Sequence, residues 1–348
     1  MAVSPPECPY DAVLLLSFGG PQGPDDVMPF LRRVTAGRGV PEERLAVVAK
    51  QYLHFGGRSP INDQNEQLRQ ALAHELGLPV YLGNRNWDPL VADTFRQMRA
   101  DGIRSTAVVI TSGYASYSGC RQYREDLAAA LAEIEADEQD WPIQIQKIKR
   151  WSPLPQFAQV MADNVTECVN DLLTDSSKLP RIVFTTHSIP LALNDASGDP
   201  RDGGGAYLRE HTNAINSVMK LLNERFGTEL DWDLVYQSRS GSPRIPWLEP
   251  DIADHLEALC DKGVGSVVIV PIGFASDHLE VLWDLDNLAL TAAQECGINA
   301  RRAKTVGADP RFVQGIAGLV RNGDDEICPL NCCLNPHSSP RPTICGVN

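Results

Sequence analysis

The amino-acid sequence repeats one pattern of residues, and this repeat limits the possible folds more than any other feature. Each copy runs through a Trp and a Pro to an Ala-Asp pair, a Gly, a β-branched run and a Gly-aromatic-Ala-Ser turn. The first copy covers residues 81–116 and the second covers residues 236–276, with identical spacings from the Pro to the Ala-Asp pair and to the Gly. The repeat predicts two halves of similar construction.

Apolar runs of strand length alternate with amphipathic stretches of helix length in both halves. This alternation predicts an α/β fold with mainly parallel sheets that face each other across a cleft. We expect a first domain over residues 8–165 and a second over residues 175–306. A returning helix and a Cys-rich tail should occupy residues 309–348.

A row of acidic residues follows the buried strand at residues 267–270. Ser276 is a good helix N-cap, and Asp277, Glu280 and Asp284 are then spaced to share one stripe of the helix. Like charges at this spacing repel, so the stripe favours a nearby cation or proton. The alternative is a solvated helix whose acidic first turn suits the helix dipole, although this does not explain Asp284.

His187 follows a second buried strand, in a Thr-His-Ser-Ile-Pro turn. A lone His in such a turn can be purely structural, but the repeat brings His187 to the same cleft as Glu280. A His and a carboxylate that face each other can transfer protons and hold a metal ion. The Gly-rich stretches lack the GxxxxGK[ST] and GxGxxG patterns, so they predict turns. Ser188 lies in no GxSxG elbow, which argues against a hydrolase.

Composition excludes several classes of function. The net charge of −14 over 348 residues argues against nucleic acid or an anionic membrane as a partner. We find no signal peptide and no apolar run of the ~18 residues that a membrane span needs. Nine Cys without a secretory context predict a cytoplasmic protein with reduced thiols, some of them metal ligands. A monomer is the simplest expectation.

Four motifs together resemble those of the ferrochelatases. They lie at residues 56–60, 184–190, 236–250 and 273–284, and the similarity extends over about residues 10 to 320. The resemblance implies two Rossmann-like domains that clasp a porphyrin, and insertion of ferrous iron into it. It implies His187 and Glu280 as catalytic residues, and with them we expect Asp284 in the metal site. It leaves open which of His187 and Glu280 binds iron and which accepts protons.

The resemblance also implies where the porphyrin binds. Ser59 and Tyr123 match residues that contact the substrate near a propionate. Some Gram-positive members carry two Arg where this chain has Thr35-Ala36. With Arg38 close to that position, we expect the substrate contacts to be Phe18, Arg38, Ser59, Arg85 and Tyr123.

The short Gram-positive type of ferrochelatase is associated with coproporphyrin III, which gives coproheme, and this substrate is our expectation. Protoporphyrin IX is the alternative substrate. A haem or iron–sulfur sensor without catalysis and a cobalt chelatase of the same fold are alternative functions, and intact His187 and Glu280 argue against the sensor.

Four of the nine Cys lie in the last 21 residues, and exposed thiols are a liability unless they bind something. Some ferrochelatases hold a [2Fe–2S] cluster through one Cys in the body and three near the C-terminus. By this resemblance we expect Cys168, Cys328, Cys332 and Cys333 as ligands, with Cys345 free. Cys345 could replace either of the adjacent Cys332 and Cys333, which must point to different sides, and Zn²⁺ is the alternative metal. We expect such a cluster to matter for stability rather than chemistry.

Overall fold

The computed structural model describes residues 8–137, 141–175, 177–240, 244–323, 328–344 and 346–347. Two four-stranded parallel sheets organise this part of the chain. The strands are β1 Ala12–Ser17, β2 Val80–Asn84, β3 Ser105–Ile110, β4 Gln144–Lys147, β5 Arg181–His187, β6 Trp232–Gln237, β7 Ser266–Val270 and β8 Asn299–Arg302. A short parallel pair in the tail is formed by β9 Cys328–Pro329 and β10 Gly346–Val347.

The strand order is the same in both sheets: β2-β1-β3-β4 in the first and β6-β5-β7-β8 in the second. The central strands are buried along almost their whole length, as strands covered by helices on both faces must be. The predicted α/β fold with two similar parallel sheets is therefore confirmed.

Helices connect the strands and cover the sheets. They are α1 Val27–Val34, α2 Glu42–His54, α3 Pro60–Leu76, α4 Val91–Ala100, α5 Gln122–Asp137, α6 Pro155–Leu173, α7 Leu191–Asp195, α8 Ala206–Phe226, α9 Ile252–Asp261, α10 Leu279–Val281, α11 Leu290–Glu295 and α12 Pro310–Arg321. Two π-helical segments, Tyr117–Arg121 and Leu282–Ala289, lie beside α5 and between α10 and α11. In the described residues no helix combines the length and the apolar character that crossing a bilayer requires.

The repeated motif forms the same local structure in each half. The main-chain N–H of Asn84, the last residue of β2, donates a hydrogen bond to Pro89 O at 2.8 Å. In the second copy Tyr236 N lies 2.9 Å from Pro250 O, and both prolines follow cis peptide bonds. The spacing shared by the two copies thus reproduces one strand–loop–helix connection.

One large apolar cluster runs through both halves, from Tyr10 to Val320. Helices α6 and α8 pack together, and α12 returns to contact α3 and α6 of the first half. This shared core joins the two sheets and shows no break that would locate a domain boundary. The predicted domain boundaries therefore stay a prediction.

Candidate functional site

His187 is the last residue of β5, and its imidazole is held in one tautomer. Its Nδ1 lies 2.5 Å from the main-chain oxygen of Ser188. A carbonyl oxygen can only accept a hydrogen bond, so Nδ1 carries a proton, and in the neutral ring Nε2 keeps its lone pair. The side chain remains 34% exposed, which leaves Nε2 accessible. In this state an imidazole can accept a proton or bind a metal ion.

Glu280 faces His187 from the segment that follows β7. Its Oε1 lies 3.8 Å from Nε2 of His187, and the side chain is 39% exposed. The two residues follow adjacent strands of the second sheet, and the carboxyl ends of parallel strands meet at one edge. The structure therefore brings together the two residues that the sequence analysis paired, and their catalytic roles stay predictions.

The helix that carries Glu280 begins later than the sequence predicts. His278, and not Ser276, is the N-cap: Nδ1 of His278 accepts a hydrogen bond from Val281 N at 3.3 Å. The Ser276 hydroxyl instead donates to Asn65 Oδ1 at 3.3 Å, which ties the turn to the first half of the chain.

The predicted stripe of three carboxylates does not form. Asp277 lies before the helix, and its Oδ1 is 3.1 Å from Nη1 of Arg302. Arg302 also pairs with Asp286 at 2.5 Å, so its guanidinium is the cation for Asp277 of the predicted stripe and for Asp286, which is not part of that stripe. Glu280 and Asp284 both remain near His187. Asp284 lies in the π-helical segment Leu282–Ala289, which sets its spacing from Glu280.

Asp284 has two neighbours that the sequence analysis did not identify. The hydroxyl of Ser238 donates a hydrogen bond to its carboxylate. Ser238 has φ 61°, a left-handed conformation that non-glycine residues rarely adopt and that clusters at functional sites. Tyr52 of α2 is close enough that both Glu280 and Asp284, after burial, raise its pKa. Ser238 lies within the motif at residues 236–250, and this motif was the one sequence signal that could have identified it.

The three titratable groups hold different charges. Burial lowers the pKa of His187, but Glu280 outweighs it, so the net shift is upward. Burial raises the pKa of Glu280, but His187 and His278 outweigh it, so this carboxylate stays ionised. Burial, with the negative charge of Glu280, raises the pKa of Asp284 to about 7. One site thus combines a proton acceptor, a fixed anion and a group that titrates near neutral pH.

Three of the predicted substrate contacts form one wall in the first half. The Arg85 guanidinium lies 4.6 Å from the ring centre of Tyr123 and 5.9 Å from that of Phe18. Arg85 is also paired with Asp126. Phe18 is 37% exposed whereas Tyr123 is buried, so Phe18 offers the open aromatic surface of this wall.

Helices α1 and α2 connect this wall to the acidic site, through Phe30 of α1 and Tyr52 of α2. The ring of Phe30 lies 6.3 Å from Phe18 and 6.1 Å from Tyr52, which faces Glu280 and Asp284. The aromatic wall and the His187–Glu280 pair therefore border one region.

The remaining two predicted contacts differ in accessibility. Ser59 is 2% exposed, and the loop after β1 packs on it so closely that a Cβ at Gly20 would lie 2.6 Å from Ser59 Cβ. Arg38 lies exposed in the turn after α1. The structure gathers Phe18, Arg85 and Tyr123 at one place and leaves Arg38 at the surface.

Four cysteine sulfurs meet at a second, buried place. Cys120 contacts Cys328 and Cys333, and Cys332 contacts the same two. The Sγ atoms of Cys332 and Cys333 are 3.6 Å apart. The contacts with Cys328 and Cys333 lower the pKa of Cys120 and of Cys332.

This quartet corrects one of the predicted cluster ligands. Cys168 lies on α6, where burial and the neighbouring Glu167 and Asp171 raise the pKa of its thiol, and no tail cysteine is among the groups that shift it. Cys120, and not Cys168, is the body cysteine that contacts the tail cysteines, and a cluster at this place stays a prediction. The sequence analysis missed Cys120 because it took the ligand set from the resemblance. Cys120 lies in the π-helical segment Tyr117–Arg121.

The adjacent Cys332 and Cys333 can both point into the site because Cys333 has φ 54°. Its amide N lies 3.1 Å from Gly198 O, and its sulfur accepts from Gly198 N at 3.1 Å. Arg121 fixes the tail by donating to Leu330 O at 2.5 Å and to Cys332 O at 3.1 Å. Cys345 lies outside the described residues.

The quartet fits an iron–sulfur cluster by its donors. A [2Fe–2S] cluster takes four thiolates, and two thiolates on one tetrahedral metal with ~2.3 Å bonds are about 3.7 Å apart. In the part of the chain that the structure describes, no three or more His, Cys, Asp or Glu side chains already stand in a metal-holding arrangement.

Comparisons with known proteins identify relatives of this chain. The family model described as ferrochelatase matches residues 10–324. A coproporphyrin III ferrochelatase of Streptomyces coelicolor is 49% identical, with 98% of this chain and 97% of that protein covered. Its namesake of Streptomyces griseus is 48% identical with the same coverage. The sirohydrochlorin chelatase SirB of Bacillus subtilis subspecies spizizenii, in complex with cobalt, is 12% identical with a TM-score of 0.51 over 89% of this chain and 94% of that one, a similarity of fold alone.

Proposed function

The chain belongs to the ferrochelatase family, and we propose that it inserts Fe²⁺ into coproporphyrin III to give Fe-coproporphyrin. The observation that carries this proposal is the 3.8 Å approach of His187 Nε2 to Glu280 Oε1. The names of relatives that are 48–49% identical over nearly the whole chain support the choice of porphyrin.

Metal insertion exchanges two pyrrole N–H protons for one Fe²⁺, so the site must accept two protons in each turnover. His187 accepts a pyrrole proton at Nε2, because its other ring nitrogen is committed to Ser188 O. Glu280 remains anionic, stabilises the imidazolium and offers a carboxylate oxygen to the incoming Fe²⁺.

Asp284 completes the proton path in this proposal. Its pKa of about 7 lets it take up and release protons near neutral pH, unlike Glu280. The Ser238 hydroxyl that donates to it marks the route by which protons leave the pair.

Phe18, Arg38, Ser59, Arg85 and Tyr123 remain the proposed porphyrin contacts. Coproporphyrin carries four propionates and protoporphyrin two, so the coproporphyrin site needs more donors, and Arg is the better bidentate partner of a carboxylate. Arg38 and Phe18 are accessible from solvent. Ser59 and Tyr123 are covered and would contact the porphyrin only after neighbouring side chains move.

The metal and the role of His187 are tested together by anaerobic insertion into coproporphyrin III with Fe²⁺ or Co²⁺. We expect faster insertion of Fe²⁺, and loss of insertion in His187→Ala with coproporphyrin binding retained. Preferential insertion of Co²⁺ would identify a cobalt chelatase. Activity of His187→Ala within about tenfold of wild type would remove His187 from its role.

We also propose that Cys120, Cys328, Cys332 and Cys333 hold a [2Fe–2S] cluster. When bound, such a group supplies a covalent bridge between body and tail, since Cys120 lies in the body and the other three lie in the tail. Arg121 orients the tail for it through Leu330 O and Cys332 O.

The cluster is tested by colour and by iron and sulfide content after anaerobic purification. We expect a reddish-brown protein with two cluster irons per chain, colourless in Cys120→Ser and coloured in the matched variant Cys168→Ser. A colourless wild-type protein that contains zinc would exclude the cluster. Loss of colour in Cys168→Ser but not in Cys120→Ser would restore the ligand set expected from the sequence.

The monomeric state and the cytoplasmic location stay predictions. Size-exclusion chromatography with light scattering should give the mass of one chain, 38.1 kDa.

A further inference from the structure

A buried row of polar side chains lies directly behind His187. Thr186 is 1% exposed, Tyr207 is 6% exposed and His211 is 1% exposed. The Thr186 hydroxyl lies 2.9 Å from the Tyr207 hydroxyl and 2.9 Å from Nε2 of His211. Tyr207 Oη lies 2.7 Å from the main-chain oxygen of His187. Buried polar groups are kept only where they are bonded, and here every member of the row is bonded.

The direction of each hydrogen bond follows from the acceptors. Nδ1 of His211 lies 2.8 Å from Tyr207 O, a carbonyl, so Nδ1 donates and Nε2 accepts from the Thr186 hydroxyl. The Thr186 proton is thereby used, so the Tyr207 hydroxyl is the donor to both Thr186 Oγ1 and His187 O and shares its single proton between them. Burial lowers the pKa of His211 to about 3, so the ring is neutral and this arrangement holds at working pH.

The row ends on the first half of the chain. The His211 ring stacks on Tyr114 with centres 3.6 Å apart and planes 13° from parallel. The Tyr114 hydroxyl crosses back to donate to Ile272 O at 2.8 Å. Tyr114 belongs to the Gly-aromatic-Ala-Ser turn of the first repeat copy, and Ile272 directly precedes that turn in the second.

The second copy of the turn also closes on Thr186. A Cβ on Gly273 would lie 2.2 Å from Thr186 Oγ1. No side chain larger than hydrogen fits there unless Thr186 moves. Thr186 is therefore held by Gly273, Tyr207 and His211 at the same time.

We propose that Thr186 and Tyr207 are positioning residues for iron insertion, which fix the main chain of His187 from behind, with His211 and its stack on Tyr114 as their anchor. This inference rests on the proposed function. Neither residue reaches the reacting atoms. Their effect is to hold Nε2 of His187 at its distance from Glu280. This matters for the rate, because a displacement of about 1 Å in a reacting group can cost about a hundredfold.

The kinetic test compares two neighbouring threonines of β5. Thr186→Val and Tyr207→Phe each remove one hydroxyl from the row, and Thr186→Ser restores it. Thr185→Val is the matched control, because Thr185 is also buried and its hydroxyl bonds Gln237 Oε1 at 3.2 Å instead. We expect kcat for Fe²⁺ insertion to fall at least about tenfold in Thr186→Val and Tyr207→Phe, with KM for coproporphyrin within about twofold.

Thr186→Ser should recover most of kcat, and Thr185→Val should keep it despite a similar loss of thermal stability. Equal kcat values in Thr186→Val and Thr185→Val would overturn the inference, as would a rise in KM at unchanged kcat. Crystal structures of both valine variants provide a test that does not depend on turnover. The His187 ring should move by about 0.5 Å or more in Thr186→Val and not in Thr185→Val.

An unmoved ring in Thr186→Val overturns the positioning role even if the wild-type protein is active. A wild-type protein that inserts no iron contradicts the proposed function, while the ring position in the two variants still decides this inference.

Discussion

The residues of the candidate site differ in charge because each has a different neighbour. Glu280 lies against a histidine and stays ionised, whereas Asp284, one turn further on, lies against Glu280 and has its pKa raised to about 7. Two carboxylates of the same stretch are thereby given two roles. Hydrophobic periodicity contains no information on this division.

Glu280→Gln keeps the shape of the side chain and removes its charge. We expect kcat/KM for Fe²⁺ insertion to fall by about a hundredfold or more, and by less in Asp284→Asn, which lies further from His187. Steady-state kinetics at constant protein stability measure both. Glu295→Gln, an exposed glutamate at the end of α11, should stay within about twofold of wild type. A larger loss in Asp284→Asn than in Glu280→Gln would reverse the assigned order of the two carboxylates.

His211 makes stability depend on pH. Its pKa falls from an ordinary 6.5 to about 3 on folding, so folding favours the neutral ring. The contribution is complete above pH 6.5 and is lost as the pH falls towards 3. Linkage gives a loss of about 2 kcal/mol of unfolding free energy between pH 7.5 and 5 from this residue.

Urea unfolding of His211→Asn should show a lower but flatter stability over this pH range than wild type. His74→Asn, which changes an exposed histidine on α3, should follow the wild-type slope. If His211→Asn loses stability with falling pH as steeply as wild type, protonation of this ring is not the cause.

At the scale of elements, π-helical segments separate the observed site from the predicted one. The sequence favours a regular helix from Ser276, with Asp277, Glu280 and Asp284 in one stripe. The observed helix starts at Leu279 and widens over Leu282–Ala289. A π-helical turn inserts a residue without changing composition, so a search for 3.6-residue periodicity does not detect it.

Ser238, in the loop after β6, lowers the pKa of Asp284 in this π-helical segment by donating a hydrogen bond to its carboxylate. Ser238→Gly removes the hydroxyl that donates to Asp284 and leaves a residue that tolerates φ 61°. Since this hydrogen bond favours the ionised carboxylate, its loss should raise the pKa of Asp284 further above its ordinary value. We expect the acidic limb of the pH–kcat profile to shift to higher pH in Ser238→Gly. Arg239→Ala, at the next position, is the control and should leave the limb in place. A limb that shifts equally in both variants would contradict the role of the hydroxyl.

The tail shows a different limit of sequence reasoning. Three of the four clustered cysteines could be predicted from their spacing and from the resemblance, but the fourth depends on where the tail docks. Docking is set by Arg121, whose guanidinium reaches main-chain oxygens more than 200 positions away along the chain. No local pattern distinguishes Cys120 from Cys168 for that purpose.

At the scale of the whole molecule, the repeat predicted most of the architecture. Two copies of one motif became two sheets with the same strand order, and His187 and Glu280 were correctly expected at a common edge. The contacts across the copies, such as the stack of Tyr114 on His211, could not be predicted. They depend on how two similar halves pack together, and similarity alone does not fix that packing.

The central claim is insertion of Fe²⁺ into coproporphyrin III, and the ratio of kcat/KM for coproporphyrin III and protoporphyrin IX under anaerobic conditions tests it most directly. The account predicts efficient Fe²⁺ insertion with a ratio well above one, by about tenfold or more if a single additional propionate contact forms. A ratio of one or below would assign the chain to protoporphyrin. An absence of insertion into either porphyrin, with His187 and Glu280 intact, would contradict the account itself.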